Sequence, residues 1–416
     1  MSLNPRIRQD TNGMWWLDWD ADPQAIAYDI ITSSGAHRQA GKNAITAKLG
    51  TAKPNPLPQI ASARPGTYEV AKDPSAPPPP PPPPPAAGTE GQLSTVFVTG
   101  SATDALLNSF TDAQWQWARD HWDRIYVYPP YSDRWLGKMP KAWAYQDSYA
   151  IYNPSSYADA HPDQILRDAG GNKLFIPWGC KNGTCPQYAA DFSNPNWRQH
   201  YSDQVKAAAS KGYGLYADDV NLDAMKASDG SGTYKQPVVG GKAWQLPDWQ
   251  REFATFMEKV ATDNPSIERV HNALWWAGSD GQNADVQRQI KSCNVFSFER
   301  GFNDPNYRKD LSQLTRLFNF IDLIHSWGVA AYHLSYATDT QGAMFNLACA
   351  LMCSNGHDYV SGPAALMAPS SWWAGYQTNL GAAKGPRTQV STGVWERPFE
   401  HGVVRADGPA GTGTIT

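Results

Sequence analysis

The chain has 416 residues, with 35 Lys and Arg against 39 Asp and Glu and a formal net charge of −4, a length that accommodates two or three domains. Lys and Arg are nowhere gathered into a block, which excludes a nucleic-acid backbone as the main partner, because phosphate binding needs clustered cations. No stretch is long and apolar enough to span a bilayer, and the first ten residues lack the apolar core of a signal peptide, so a soluble protein with no membrane partner is expected.

Residues 1–73 read as a small all-β unit. Trp15, Leu17 and Trp19 alternate with Trp16, Asp18 and Asp20, the period of a half-buried strand. Ile26, Tyr28 and Ile30 repeat that period after Asp22 and Pro23, and a further strand is expected at 66–70. Residues 74–90 form a linker whose centre is nine consecutive prolines, 77–85. Proline has a fixed φ and no N–H to donate, so such a run is expected as an extended polyproline II spacer of roughly 28 Å.

Residues 91–405 alternate strand and helix signals. Strands are expected at 95–99, 124–128, 142–147, 214–218, 269–274, 295–299, 329–335 and 358–361. One helix is predicted from its cap: Asn194 precedes Pro195 at the first helical position, Trp197, Tyr201 and Val205 follow at helical spacing, and Gly212 ends it. A second starts near Pro247 and Asp248 and carries Trp249, Phe253, Phe256 and Val260 on one face. A third holds Phe345 to Met352 and ends at Gly356. Eight strands alternating with helices predict a (β/α)8 TIM barrel. An open doubly wound sheet is disfavoured, since no Gly-rich phosphate loop follows the first strand. Residues 406–416 are read as a tail.

The odd count of five cysteines argues against a full disulfide framework. Cys180 and Cys185 bracket a short loop, where a local disulfide or, less in keeping with the missing histidines, a metal site could form. Cys349 and Cys353 fit an apolar helix. No metal and no cofactor is expected, because no His pair stands at ligand spacing and no Ser or Cys sits in a nucleophile elbow. The segment from Asp219 to Asp223 lacks the glycine and distal Glu of a calcium loop.

Barrel enzymes place their chemistry at the C-terminal ends of the strands. Those ends offer Asp104, Tyr128, Trp143, Tyr145, Asp147, Asp218, Asp219, Asn221, Asn272, Trp275, Trp276, Glu299 and His333. Carboxylates, amides and aromatics in one mouth suit glycoside hydrolysis. One carboxyl group protonates the leaving oxygen while the other attacks the anomeric carbon or activates water, and aromatic faces stack on the C–H faces of sugar rings. Asp218 and Glu299 are the expected catalytic pair, and the others the expected substrate contacts. Asp218 is preferred to Asp219 because neighbours on a strand face opposite ways. The bland alternative for either carboxylate is an ion pair within the barrel.

Three segments carry a family resemblance: 165–174, then 191–198 with Asn194, Pro195, Trp197 and Arg198, then 212–221 ending on Asp218 and Asp219. Together with Arg397 to Arg405, which resembles a closing β-hairpin, they look like the hypothetical glycosyl hydrolase families of TIM-barrel type, related to the α-galactosidase and α-glucosidase superfamilies. The resemblance implies a nucleophilic Asp218 on the fourth strand and an acid/base on the sixth, for which Glu299 stands. The segment from Trp16 to Ile30 resembles the B and C strands of fibronectin type III domains, and the whole arrangement resembles minor tail proteins of actinobacterial phages. By analogy this implies a virion or extracellular protein that meets an envelope polysaccharide, with other tail proteins or further copies of itself as partners. The competing expectation is a non-catalytic glycan-binding module, and a third is a structural tail protein.

Overall fold

The computed structural model describes residues 88–99, 101–128, 135, 137–180, 185–273, 283–304 and 311–416, together with seven strands between residues 6 and 71. The strands at the N-terminal end pair antiparallel in two sheets. One orders Arg6–Gln9, Trp15–Asp18 and Thr46–Gly50. The other orders His37–Gly41, Ala27–Ile31, Gln59–Arg64 and Thr67–Ala71. The proline run at 77–85 lies outside the described residues.

Eight parallel strands then close on themselves: Ser94–Val98, Arg124–Val127, Ala142–Asp147, Tyr213–Asp218, Arg269–Asn272, Val295–Arg300, Ala330–Ser335 and Tyr359–Ser361. Each pairs with its neighbours in sequence, and the eighth pairs with the first. Every strand expected from the sequence is present within a residue or two. Side chains alternate between two layers, as the two-residue strand period requires. Val96, Tyr126, Trp143, Tyr216, Val270, Val295, Tyr332 and Tyr359 fill the barrel interior. Phe97, Ile125, Ala144, Leu215, Phe296 and Ala331 point outward into the layer beneath the helices.

The helices form for local reasons. Asn194 accepts from the Asn196 N–H and Pro195 opens the helix Pro195–Ser210, so an otherwise orphan donor is satisfied at a position where proline costs nothing. Leu246–Asp263 buries Trp249, Phe253, Phe256 and Val260 along one stripe. Thr340–Cys353 is apolar nearly all round and buried from Phe345 onward, because the barrel covers one side and a C-terminal sheet the other. That sheet is larger than the expected hairpin. Val394–Phe399 and Gly402–Asp407 do pair, but Thr388–Ser391 and Thr412–Ile415 flank them. Residues 412–415, read from sequence as tail, thus belong to the fold. Arg397 fastens sheet to helix by donating to the carbonyls of Leu351, Met352 and Ser354, which the end of the helix leaves without intrahelical partners.

The floor of the barrel is closed by a charged plug. The Arg124 guanidinium pairs with Glu268 and lies 4.3 Å from the Trp143 ring centroid and 4.8 Å from that of Tyr359. Trp143 Nε1 donates to Glu268 Oε2 at 2.7 Å. Trp143 reaches this position because Gly214, its neighbour on the fourth strand, has no side chain; a Cβ there would come within 2.9 Å of both Trp143 Cδ1 and the Glu268 carbonyl oxygen. Substitution Gly214→Ala is therefore expected to overpack the floor and cost about 1–3 kcal/mol, measurable as a lower urea midpoint with an unchanged far-UV circular dichroism spectrum.

Candidate active site

Four consecutive strands deliver polar side chains to one arc of the barrel mouth. Asp147 and Asp218 end the third and fourth strands and are direct partners in the parallel register. Asn272 ends the fifth, and Glu299 is the penultimate residue of the sixth. Parallel pairing brings these ends level, and the interior alternation that fills the floor turns the same face inward at the mouth.

The side chains form a continuous hydrogen-bonded row. Gln187 Nε2 donates to Asp147 Oδ2 at 2.6 Å. The Tyr145 hydroxyl lies 2.5 Å from Asp147 Oδ1 and 2.8 Å from Asp218 Oδ2. Asn272 Nδ2 donates to Asp218 Oδ1 at 2.7 Å and to Glu299 Oε2 at 3.1 Å. The Tyr336 hydroxyl donates to Glu299 Oε1 at 3.0 Å. Since one nitrogen serves both carboxylates, their facing oxygens lie no further apart than the two bonds laid end to end, about 5.8 Å.

Asp219 takes a different path. Its φ of 57° puts it in the left-handed region, which breaks the strand and lets its own N–H donate to Asp218 Oδ1 at 2.9 Å. Its carboxylate accepts Trp178 Nε1 at 2.9 and 3.0 Å and Asn221 Nδ2 at 3.3 Å. Asn221 is itself fully buried, and its carbonyl accepts from Trp249 Nε1. It braces the turn after the fourth strand.

No Lys, Arg or His of the described residues forms an ion pair with Asp147, Asp218, Asp219 or Glu299. The ion-pair alternative raised by the sequence therefore finds no support for Asp218 or Glu299. Burial, reinforced by the charge of Asp218, pushes the Asp147 carboxyl up to about 6. Burial also raises Asp218, against the pull of hydrogen bonds from Asn272, Tyr145 and the Asp219 N–H. Asp219 is raised well above the usual carboxylate range by burial and by the charges of Asp218 and Asp147.

The remaining sequence candidates distribute as follows. Tyr145 is in the row, and the half-buried Tyr128 packs 4.4 Å from it, centroid to centroid. Asp104 lies in the first turn of Ser101–Asn108, after the first strand, which stands across the barrel from the fifth. Two expectations are corrected. Trp143 is fully buried in the barrel floor against Arg124 and Glu268, because it sits two residues below Tyr145 on the same face. His333 faces outward and is buried between the rings of Phe298 and Phe302, at 5.7 and 5.2 Å; that apolar setting lowers it to about 4. Trp275 and Trp276 lie outside the described residues.

Three contributors were not among the sequence candidates: Gln187, Trp178 and Tyr336. The first two come from the long excursion between the third strand and the helix Pro195–Ser210. There Ala150–Tyr152 pairs with Gln187–Ala189, and a Cys180–Cys185 disulfide closes the loop beside Trp178. The excursion has no strand-end signal, so only its return over the mouth reveals its role. Tyr336 follows the seventh strand, and its place beside Glu299 was readable from that position. Trp178, Tyr152 and Tyr336 are 38%, 60% and 53% exposed.

Residues 315–403 match the model of hypothetical glycosyl hydrolase family 15, a span that runs from the helix after the sixth strand into the C-terminal sheet and lies beyond all four carboxylates. No curated protein matches the chain in sequence. Among solved structures it is similar to the glycoside hydrolase domain of PelA from Pseudomonas aeruginosa, at 14% identity and a TM-score of 0.37, covering 65% of this chain and 95% of that one. It is similar to TtGalA, an α-galactosidase from Thermus thermophilus, at 12% identity and a TM-score of 0.48, over 96% and 79%. A third is the maltogenic α-amylase AmyB from Thermotoga neapolitana, at 7% identity and a TM-score of 0.47, over 75% and 84%.

A carboxyl group raised on folding binds more protons in the folded chain than in the unfolded one between its two pKa values, so stability falls as pH rises through that window. For Asp147 the window runs from 3.8 to about 6. Asp147→Asn is expected to be the more stable protein at pH 7.5, by about 3 kcal/mol, with the gap closing by about pH 4. Urea unfolding of both proteins at the two pH values measures it.

Proposed function

We propose that this chain is a retaining glycoside hydrolase whose nucleophile is Asp218 and whose general acid/base is Glu299. The observation that carries the reading is the Asn272 amide, which donates to both carboxylates and so holds their facing oxygens within about 5.8 Å of each other. Retaining enzymes space their carboxyl groups at roughly 5–5.5 Å, whereas inverting enzymes need about 6.5–9.5 Å to admit a water.

The roles follow from the donors. Asp218 accepts from Asn272, Tyr145 and the Asp219 N–H, and donors favour the ionised form that attack requires. In the first step a carboxylate oxygen of Asp218 bonds to the anomeric carbon as the glycosidic C–O bond breaks, and Glu299 gives its proton to the departing oxygen. In the second, Glu299 takes a proton from water, the hydroxide equivalent bonds to the anomeric carbon, and Asp218 leaves with its electron pair. The product keeps the anomeric configuration of the substrate. Asn272 touches both carboxylates, so it keeps their spacing through both steps.

The substrate class we propose is a cell-envelope polysaccharide. Trp178 beside Asp219, Tyr152 near Asp147 and Tyr336 against Glu299 expose their rings around the carboxylates, an arrangement suited to stacking on sugar faces. The two N-terminal sheets are compatible with a fibronectin type III-like unit, and such a unit followed by a proline-rich spacer supports a place in a phage tail, where the partners are the envelope glycan and other tail proteins.

Incubation with a panel of bacterial envelope polysaccharides tests the reading. The wild-type chain is expected to release oligosaccharides with retained anomeric configuration by NMR, and Asp218→Asn to release none while keeping its melting temperature. Equal release by Asp218→Asn would remove the assignment, and glycan binding without release would favour a non-catalytic module. Trp178→Ala is expected to raise KM about 5–10-fold with kcat little changed, the scale of one lost aromatic contact.

A further inference from the structure

The Tyr145 hydroxyl stands within hydrogen-bond distance of two carboxylates, Asp147 Oδ1 at 2.5 Å and Asp218 Oδ2 at 2.8 Å. A phenol has one proton to donate, and an ionised carboxylate can only accept. With both aspartates ionised, one of these contacts would set lone pairs against lone pairs in a partly buried site. A second proton removes the conflict.

Where that proton sits is decided by the other donors. Asp218 Oδ1 already receives two, from Asn272 Nδ2 and the Asp219 N–H. Asp147 receives one at hydrogen-bond distance besides Tyr145, from Gln187 Nε2 on Oδ2, and the Tyr152 hydroxyl acts on it more weakly. Each donor favours the ionised form, so Asp218 is the better anion and Asp147 the better acid. The groups that face Asp147 are Tyr145 on its own strand, Tyr128 after the second strand, Asp218 on the fourth, Tyr149, Tyr152 and Gln187 from the excursion, Tyr201 from the helix Pro195–Ser210, and the charge of Asp219 further off. None of these is a cation, and no ion pair of the described residues includes Asp147.

We infer that Asp147 holds a proton shared with Asp218 through Tyr145, in the order Asp147 O–H to Tyr145 O–H to Asp218, and that Asp147 is a positioning residue for the nucleophile. The chain of donors fixes Asp218 Oδ2 from one side while Asn272 and the Asp219 N–H fix Oδ1 from the other. It also leaves the Asp147–Tyr145–Asp218 group with one negative charge, carried by Asp218. Burial and the nearby Asp218 charge, which push Asp147 up to about 6, agree with this placement. The catalytic part of the inference rests on the glycosidase reading; the shared proton does not.

The experiment is a pH titration by NMR of the full chain labelled with carbon-13 at the aspartate carboxyl carbons. Among the aspartate signals that titrate above about 5, one at about 6 is expected to vanish in Asp147→Asn. In Asp218→Asn the same signal is expected to move down by about one pH unit or more, since the neighbouring charge is gone. Survival of every high-titrating signal in Asp147→Asn overturns the shared proton. A signal that stays near 6 in Asp218→Asn overturns the coupling, leaving Asp147 raised by burial alone. On any polysaccharide that the wild type cleaves, kcat is expected to fall as pH rises through about 6. That fall is expected to be absent in Asp147→Asn, whose amide can donate to Tyr145 at every pH. An unmoved profile with matched melting temperatures overturns the positioning role. Absence of turnover alongside the expected titrations would instead count against the glycosidase reading.

Discussion

Closing a parallel sheet of eight strands sends every second side chain into one narrow volume, and the whole arrangement depends on how that volume is filled. Large aromatics occupy it from below. Trp143, Tyr126, Tyr216, Tyr332 and Tyr359 pack together, with Arg124 and Glu268 sealing the base. The filled floor leaves only the rim for polar groups. The same inward alternation that buries Trp143 two residues lower presents Tyr145 and Asp147 at the top. Packing below and chemistry above are thus one pattern, read at different depths.

At the rim the governing constraint is electrostatic. Four carboxyl groups gather there, and the described residues give them amides, hydroxyls, an indole and a backbone N–H, but no cation in ion-pair contact. Dipoles stabilise a buried anion less than a full positive charge does, so Asp147, Asp218 and Asp219 hold protons more tightly than free carboxyls would. Neutral donors also have a positional advantage. The Asn272 amide bonds two carboxylates at once without neutralising either, which a lysine in its place would do. The price of the arrangement is stability lost with rising pH, a cost that active sites commonly carry.

Much of the fold was legible in the sequence. The eight strands were readable because the two-residue period and the flanking turn residues are local, and the helix after Asn194 because a cap and an N1 proline act within one turn. Of the expected site, Asp218, Asn272, Glu299, Tyr145 and Asp147 come together, since each could be placed by counting to the end of an inward-facing strand. The two failures have different causes. Trp143 has the right face but the wrong depth: two residues are about 7 Å along a strand, enough to separate floor from mouth. His333 lies on the outward parity of its strand, as its neighbours Tyr332 and Leu334 in the interior show.

The sequence by itself determined the barrel, its strand ends and the carboxylates they carry, because alternation and capping are written in neighbouring residues. Tertiary structure alone decided that Asn272 spans Asp218 and Glu299, that Tyr145 stands between two aspartates, and that Gln187 and Trp178 return from a distant excursion to complete the arc. Apart from Tyr145 with its strand neighbour Asp147, those contacts join residues 27 to 73 positions apart. No local period records such a distance; only the closure of the barrel, which sets the strand ends side by side, brings them within reach of one hydrogen bond.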